Sequence, residues 1–160
     1  MRKNYLLTPG PTPLPSEICE AMARPIIHHR TPQFQEILKE ASLGLKYVYQ
    51  SVNDVFIISS SGTGAMEAAV INLLSCGDTV LVVQGGKFGE RWTEIANAYG
   101  INTEIIDVEW GKAVNPDEIT KRLKANPGIK VVFTTLCETS TGVDNDIEKI
   151  AKVVRETSAV

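Results

Sequence analysis

From residue 55 onward the chain alternates short β-rich runs with helical patterns, and that alternation limits its fold more than any other feature. The runs are VFIIS (55–59), TVLVV (79–83), TEIIDV (103–108) and IKVVFTT (129–135). Between and after them, helical patterns occupy 64–75, 88–99, 115–124 and 145–157. Buried strands alternating with helices predict a mainly parallel sheet covered on both faces, a three-layer α/β sandwich. The final SAV falls where another buried strand should begin, so the architecture is expected to be truncated there; a small complete α/β domain is the alternative.

The first 54 residues read differently. TPGPTPLP places four prolines in eight residues, an extended and rigid arm with few backbone donors. SEICEAMA predicts a short helix capped by Ser16 and stopped by Pro25. In TPQFQEILKEASLGLKYVYQ, Thr31 caps, Pro32 takes the first helical position, and Phe34, Ile37, Leu38, Ala41, Leu45, Val48 and Tyr49 share one face.

Composition excludes some partners. With 160 residues, 43% of them hydrophobic, and a net charge of -3, the chain has a core's worth of apolar residues and no basic stripe for nucleic acid or anionic membrane. The N-terminus reaches prolines before it could form a signal-peptide core or a spanning helix, so a cytoplasmic protein is expected. Cys19, Cys76 and Cys137 lack metal or dithiol spacing and are expected to be buried or partly buried free thiols.

Four segments could carry chemistry. In SSSGTGAMEAA a β-rich run passes through serines and Gly62 and Gly64 into a helix start. Free N–H groups, the helix dipole and the hydroxyls of Ser61 and Thr63 would together suit a phosphate. A glycine-containing turn with no ligand is the alternative. A dinucleotide fingerprint would need glycine or alanine where Glu67 stands, and no P-loop lysine follows. In QGGKFGERW, Phe88 could stack on a planar ring at the sheet's ligand-binding edge, or pack beneath the next helix. Lys87 reads as a solvated loop lysine. TTLCETSTGV sets Glu138, Thr139, Ser140 and Thr141 on the same edge, to bind polar groups or to cap a neighbouring segment. His28 and His29 are adjacent, the wrong spacing for one metal, and Arg30 beside them would bind an anion or an acidic neighbour.

LLTPGPTPLP, HHRTPQF, SSSGTGAMEAA, GGKFGER and ETSTGV, in this order, resemble the N-terminal half of the class V, fold-type I pyridoxal-phosphate aminotransferases. The alanine/serine–glyoxylate (serine–pyruvate) and 2-aminoethylphosphonate–pyruvate transaminases are the groups most resembled. The resemblance implies a fold-type I large domain, truncated, with residues 1–15 as an arm and 16–160 as the N-terminal part of the cofactor domain. It implies that Ser61, Gly62 and Thr63 bind the phosphate of pyridoxal 5'-phosphate. Phe88 takes the position where relatives stack tryptophan or tyrosine on the pyridine ring, Ser140 contacts the cofactor near its phenolic oxygen, and Gly10 and Pro11 line the substrate pocket. The aspartate at the pyridinium nitrogen, the cofactor-bearing lysine and the arginine for the substrate carboxylate are expected beyond residue 160.

The reaction so implied moves an amino group between a small amino acid, of serine, alanine or aminoethylphosphonate type, and pyruvate or glyoxylate. A homodimer with shared active sites is expected, with no metal, nucleic acid or membrane. SGTGAMEA and CETSTG lean toward the aminoethylphosphonate group; TPLP and HHRTPQF suit the glyoxylate and pyruvate enzymes. The alternatives are a non-catalytic α/β module that keeps a phosphate cradle and a nicotinamide-dependent Rossmann oxidoreductase, the latter disfavoured by Glu67.

Overall fold

The computed structural model describes residues 5–160, which fall into two compact units divided after residue 59. In the first unit, residues 8–11 bend and 12–15 form no regular element, as prolines at alternate positions dictate. Helix α1 (Ser16–Met22) follows. Ser16 is not its cap, as the sequence had suggested: Pro15 holds that position, and the Ser16 hydroxyl turns to the Glu17 carboxylate at 3.3 Å. Helix α2 (Pro32–Val48) starts as read, with Pro32 in its first turn and the Thr31 hydroxyl accepting from Phe34 N–H at 3.4 Å. No residue of α2 is buried, so its apolar face lies open among the described residues.

The expected strand at 55–59 does not form. Phe56 is 84% exposed, and neither it nor its neighbours enter a ladder. A β-branched run becomes a strand only where another strand takes its hydrogen bonds, and none of the described residues does.

The second unit contains the sandwich. Helix α3 (Gly62–Leu73) leads to β1 (Thr79–Gln84), α4 (Lys87–Ala98), β2 (Asn102–Asp107), α5 (Pro116–Ala125) and β3 (Ile129–Phe133). A two-residue hairpin, β4 (Cys137–Glu138) and β5 (Val143–Asp144), precedes α6 (Ile147–Arg155). The three long strands are parallel in the order β2-β1-β3, so β1 is central and is buried over Val80–Val83. Alternation along it feeds two cores. Val80 and Val82 pack with Val70, Leu74, Ile95 and Ala96 of the α3–α4 layer, while Leu81 and Val83 meet Ile119, Leu123, Ile150 and Val154 of the α5–α6 layer. Trp92 stacks on Phe133 with ring centroids 4.4 Å apart, tying α4 to β3. At the far edge of β3, Val160 donates to Lys130 O (3.0 Å) and accepts from Val132 N–H (2.9 Å), the bonding of a parallel neighbour.

The cysteines are free but exposed, not buried. Cys19 lies on a helix without a buried face, Cys76 in the turn before β1 and Cys137 in the small hairpin. Local placement outweighs the thiol's average preference for the interior.

Gly89 shows how closely α4 is seated on β1. A Cβ there would lie 2.6 Å from Val83 O and 2.8 Å from Gln84 Cα, both backbone atoms. Gly89→Ala is expected to cost about 1–3 kcal/mol despite alanine's better helix propensity. The measurement is the urea midpoint of the chain; an unchanged or raised midpoint would show that the helix backs away freely.

Candidate active site at the carboxyl edge of the sheet

The strand order locates a crevice. Chain connections leave β1 for β2 through α4 on one face, then cross from β2 to β3 through α5 on the other. The carboxyl ends of β1 and β3 therefore flank a topological switch point, where open α/β sheets take their ligands. The loop 85–86 with the start of α4 and the loop 134–142 meet there.

Five residues separate the last residue of α3 from β1, so its C-terminal end lies at the opposite edge; the helix packs in the α4 layer through Met66, Ala69 and Val70, and its twelve residues span about 18 Å. Ser61 is the N-cap residue but makes no capping hydrogen bond with its side chain. Gly64 N–H and Ala65 N–H turn back to Ser61 O, whereas no acceptor among the described residues takes the N–H groups of Gly62 and Thr63. The hydroxyls of Ser61 and Thr63 are likewise without a hydrogen-bond partner among the described residues, and Ser61, Gly62 and Thr63 are all exposed. A Cβ on Gly62 would meet nothing within 4 Å, while one on Gly64 would collide with Ser60. The first turn thus leaves these N–H groups and hydroxyls open, with the positive end of the helix dipole behind them.

The N-terminus of α4 is treated in the opposite way. Glu138, only 2% exposed, accepts from Phe88 N–H at 3.2 Å and Gly89 N–H at 3.1 Å through Oε2, and from the Ser140 hydroxyl at 2.6 Å through Oε1. Ser140 Oγ in turn accepts from Lys87 N–H at 3.1 Å. Of the N-termini of α3 and α4, the second is already occupied by an internal anion and the first is open.

Burial pushes the Glu138 carboxyl up, but the hydrogen bonds from Ser140, Gly89 and Phe88 outweigh it and hold the group below the ordinary glutamate range. A carboxyl depressed on folding contributes stability that is present above its unfolded-state value, about 4.3, and is lost as pH falls through the folded one. Below about pH 4.3, wild type should therefore lose stability more steeply with falling pH than Glu138→Gln does. Urea midpoints across this range read it, and parallel pH slopes would contradict it.

The Phe88 ring is 45% exposed, so it does not pack beneath the following helix. Trp92, four residues on, supplies the aromatic contact to the core. Lys87 pairs with Glu90 at 2.6 Å, and that hydrogen bond raises its pKa, the wrong direction for a nucleophilic amine at neutral pH. Its ammonium also lies 5.7 Å from the centroid of Trp110, on the loop after β2.

Of the residues singled out in the sequence, Ser61, Gly62, Thr63, Phe88 and Ser140 belong to this unit. Gly10 and Pro11 belong to the other, in an exposed bend where the Thr8 hydroxyl donates to Pro11 O at 2.9 Å. His28 and His29 stack on each other, and among the described residues no cluster of metal-ligating groups exists and no acid pairs with Arg30. Two further residues organise this edge. Glu138 stood inside the hydroxyl cluster without a role of its own. Asn145 is buried and joins three segments, accepting from Val114 N–H at 3.0 Å, donating to Thr135 O at 2.8 Å and donating its backbone N–H to Leu136 O at 2.8 Å.

Residues 4–160 match the family described as Aminotransferase class-V. The chain is 46% identical over 156 residues to the soluble hydrogenase 42 kDa subunit of Anabaena cylindrica, covering 96% of this chain and 41% of that protein. It is 37% identical over 155 residues to the L-aspartate–glyoxylate aminotransferase of Paracoccus denitrificans, covering 95% and 39%. The crystal structure of a Thermus thermophilus aspartate aminotransferase superposes with a TM-score of 0.91 at 36% identity, over 98% of this chain and 44% of the other. The chain thus spans about two fifths of the length of these relatives.

Proposed function

Because the chain belongs to the class-V aminotransferase family, we propose that it is the N-terminal, cofactor-binding portion of an enzyme that transfers amino groups between a small amino acid and a 2-oxo acid. The observation that carries the proposal is the open first turn of α3, whose Gly62 and Thr63 N–H groups have no acceptor among the described residues, in the same unit as the exposed Phe88 ring. The family and the aminotransferase structures it resembles imply pyridoxal 5'-phosphate, and the residues present fit it. When bound, that group supplies an electron sink and a carbonyl through which the amino group passes.

In this reading the N–H groups of Gly62 and Thr63 and the hydroxyls of Ser61 and Thr63 hold the phosphate, helped by the dipole of α3. Phe88 offers a ring face for the pyridine and excludes water from it. Ser140 lies near the phenolic oxygen; its proton is committed to Glu138 here, so donating to that oxygen would require the hydroxyl to rotate. Residues 1–15 form an arm in which Gly10 and Pro11 line the substrate pocket, and 16–160 belong to the cofactor domain. The catalytic lysine lies outside residues 1–160, and the enzyme works as a cytoplasmic homodimer with shared sites. Serine, alanine or 2-aminoethylphosphonate is the amino donor, and pyruvate or glyoxylate the acceptor.

Two assays test this. The complete enzyme, loaded with the cofactor, should pass the amino group of at least one of those donors to pyruvate or glyoxylate; silence with every pair would sink the proposal. Residues 1–160 expressed alone should show no transamination, and borohydride in the presence of the cofactor should label no single lysine. Stoichiometric labelling of one residue, Lys87 for instance, would refute the placement of the nucleophile elsewhere.

A further inference from the structure

Glu138 has no role in the reading above, yet it is a buried carboxylate at the centre of the candidate site. We infer that Glu138 is a positioning residue, its carboxylate fixing the first turn of α4 and through it the ring of Phe88. The inference rests on the reading of Phe88 as the residue that stacks on the pyridine.

The geometry is specific. Gly85 and Gly86 stand just before Lys87 and Phe88, a backbone that could swing widely, and the Phe88 ring belongs to neither buried cluster. Beside the seating of Gly89 on β1, three successive N–H groups of this turn converge on one side chain: Phe88 N–H and Gly89 N–H donate to Glu138 Oε2, and Lys87 N–H reaches the same carboxylate through Ser140. Hydrogen bonds to an ionised acceptor are the stronger kind, and buried ones lose little to solvent competition. Gly86 records how tightly the parts fit, since a Cβ there would lie 2.6 Å from Glu138 Cγ and Cδ and would also strike Ser140. With Glu138 seated on α4, Asn115 capping α5 and Asp146 capping α6, α3 is the one of these four helices whose first turn no side chain satisfies.

The test is a double-mutant cycle on Phe88→Ala and Glu138→Ala in the complete enzyme, read as affinity for pyridoxal 5'-phosphate by equilibrium dialysis, with apo-enzyme unfolding measured beside it. If Glu138 acts through the Phe88 ring, each single change weakens affinity about tenfold and the double variant is weakened by little more than either. Glu138→Gln should restore most of the affinity, because an amide can accept from the two N–H groups and donate to Ser140. Losses that multiply in the double variant would overturn this inference alone. Phe88→Ala without effect on affinity would overturn the stacking reading, and this inference with it. Should Glu138→Ala fail to fold, Glu138→Asp, one methylene short of the two N–H groups, enters the same cycle with the same criteria.

Discussion

In the complete enzyme, Thr63→Ala is expected to weaken retention of pyridoxal 5'-phosphate by about tenfold to a hundredfold. The hydroxyl would donate to an ionised phosphate, and a hydrogen bond to a charged group is worth about 1.5–3 kcal/mol. The fold gives no competing explanation for such a loss. Thr63 is exposed, its hydroxyl has no hydrogen-bond partner among the described residues, and the helix it opens is anchored further along by Val70 and Leu74. Its removal should therefore leave apo stability within about 0.5 kcal/mol. Thr63→Ser keeps the hydroxyl and should behave as wild type. Dialysis followed by cofactor absorbance separates the three proteins; equal retention in all would mean that this turn does not hold the phosphate.

Phe88→Ala should produce a loss of comparable size by a different route. Stacking an aromatic side chain on a planar heterocycle contributes about 1–3 kcal/mol by alanine substitution, or roughly fivefold to a hundredfold in affinity. A buried phenylalanine would instead cost about 3–5 kcal/mol of stability when cut to alanine, and tryptophan would overpack its place. At 45% exposure Phe88 is on the first side of that division. Alanine should leave apo unfolding nearly unchanged while weakening the cofactor, and Phe88→Trp should retain it. A large loss of apo stability with affinity preserved would refute the assignment.

Much of this was legible in the sequence, for physical reasons that also explain the rest. TVLVV could be read as a strand because a central parallel strand is apolar on both faces, and Val80–Val83 are buried on both. Thr31 and Pro32 announced α2 because capping and the first-turn proline are local chemistry. VFIIS carries as strong a β signal, yet strand formation depends on a partner that the local sequence does not encode. The exposed cysteines were misread for a similar reason, since average burial says nothing of a particular helix face or turn. Within the candidate site, the glycines and hydroxyls around Ser61 and Phe88 were visible as types of residue at helix starts. The part played by Glu138 was not, because its partners at Phe88 and Gly89 are some fifty positions away in the chain. A buried acid that follows a strand and faces a helix start is recognised only once β3 is seen beside β1.

The central claim is that the first turn of α3 is the phosphate site of a pyridoxal-phosphate aminotransferase. A crystal structure of the complete enzyme with the cofactor bound tests it most directly. The account predicts phosphate oxygens within about 2.7–3.2 Å of Gly62 N–H and Thr63 N–H, with the pyridine ring against the face of Phe88. A phosphate bound at any other helix N-terminus, with the nitrogens of Gly62 and Thr63 left to solvent, would contradict it.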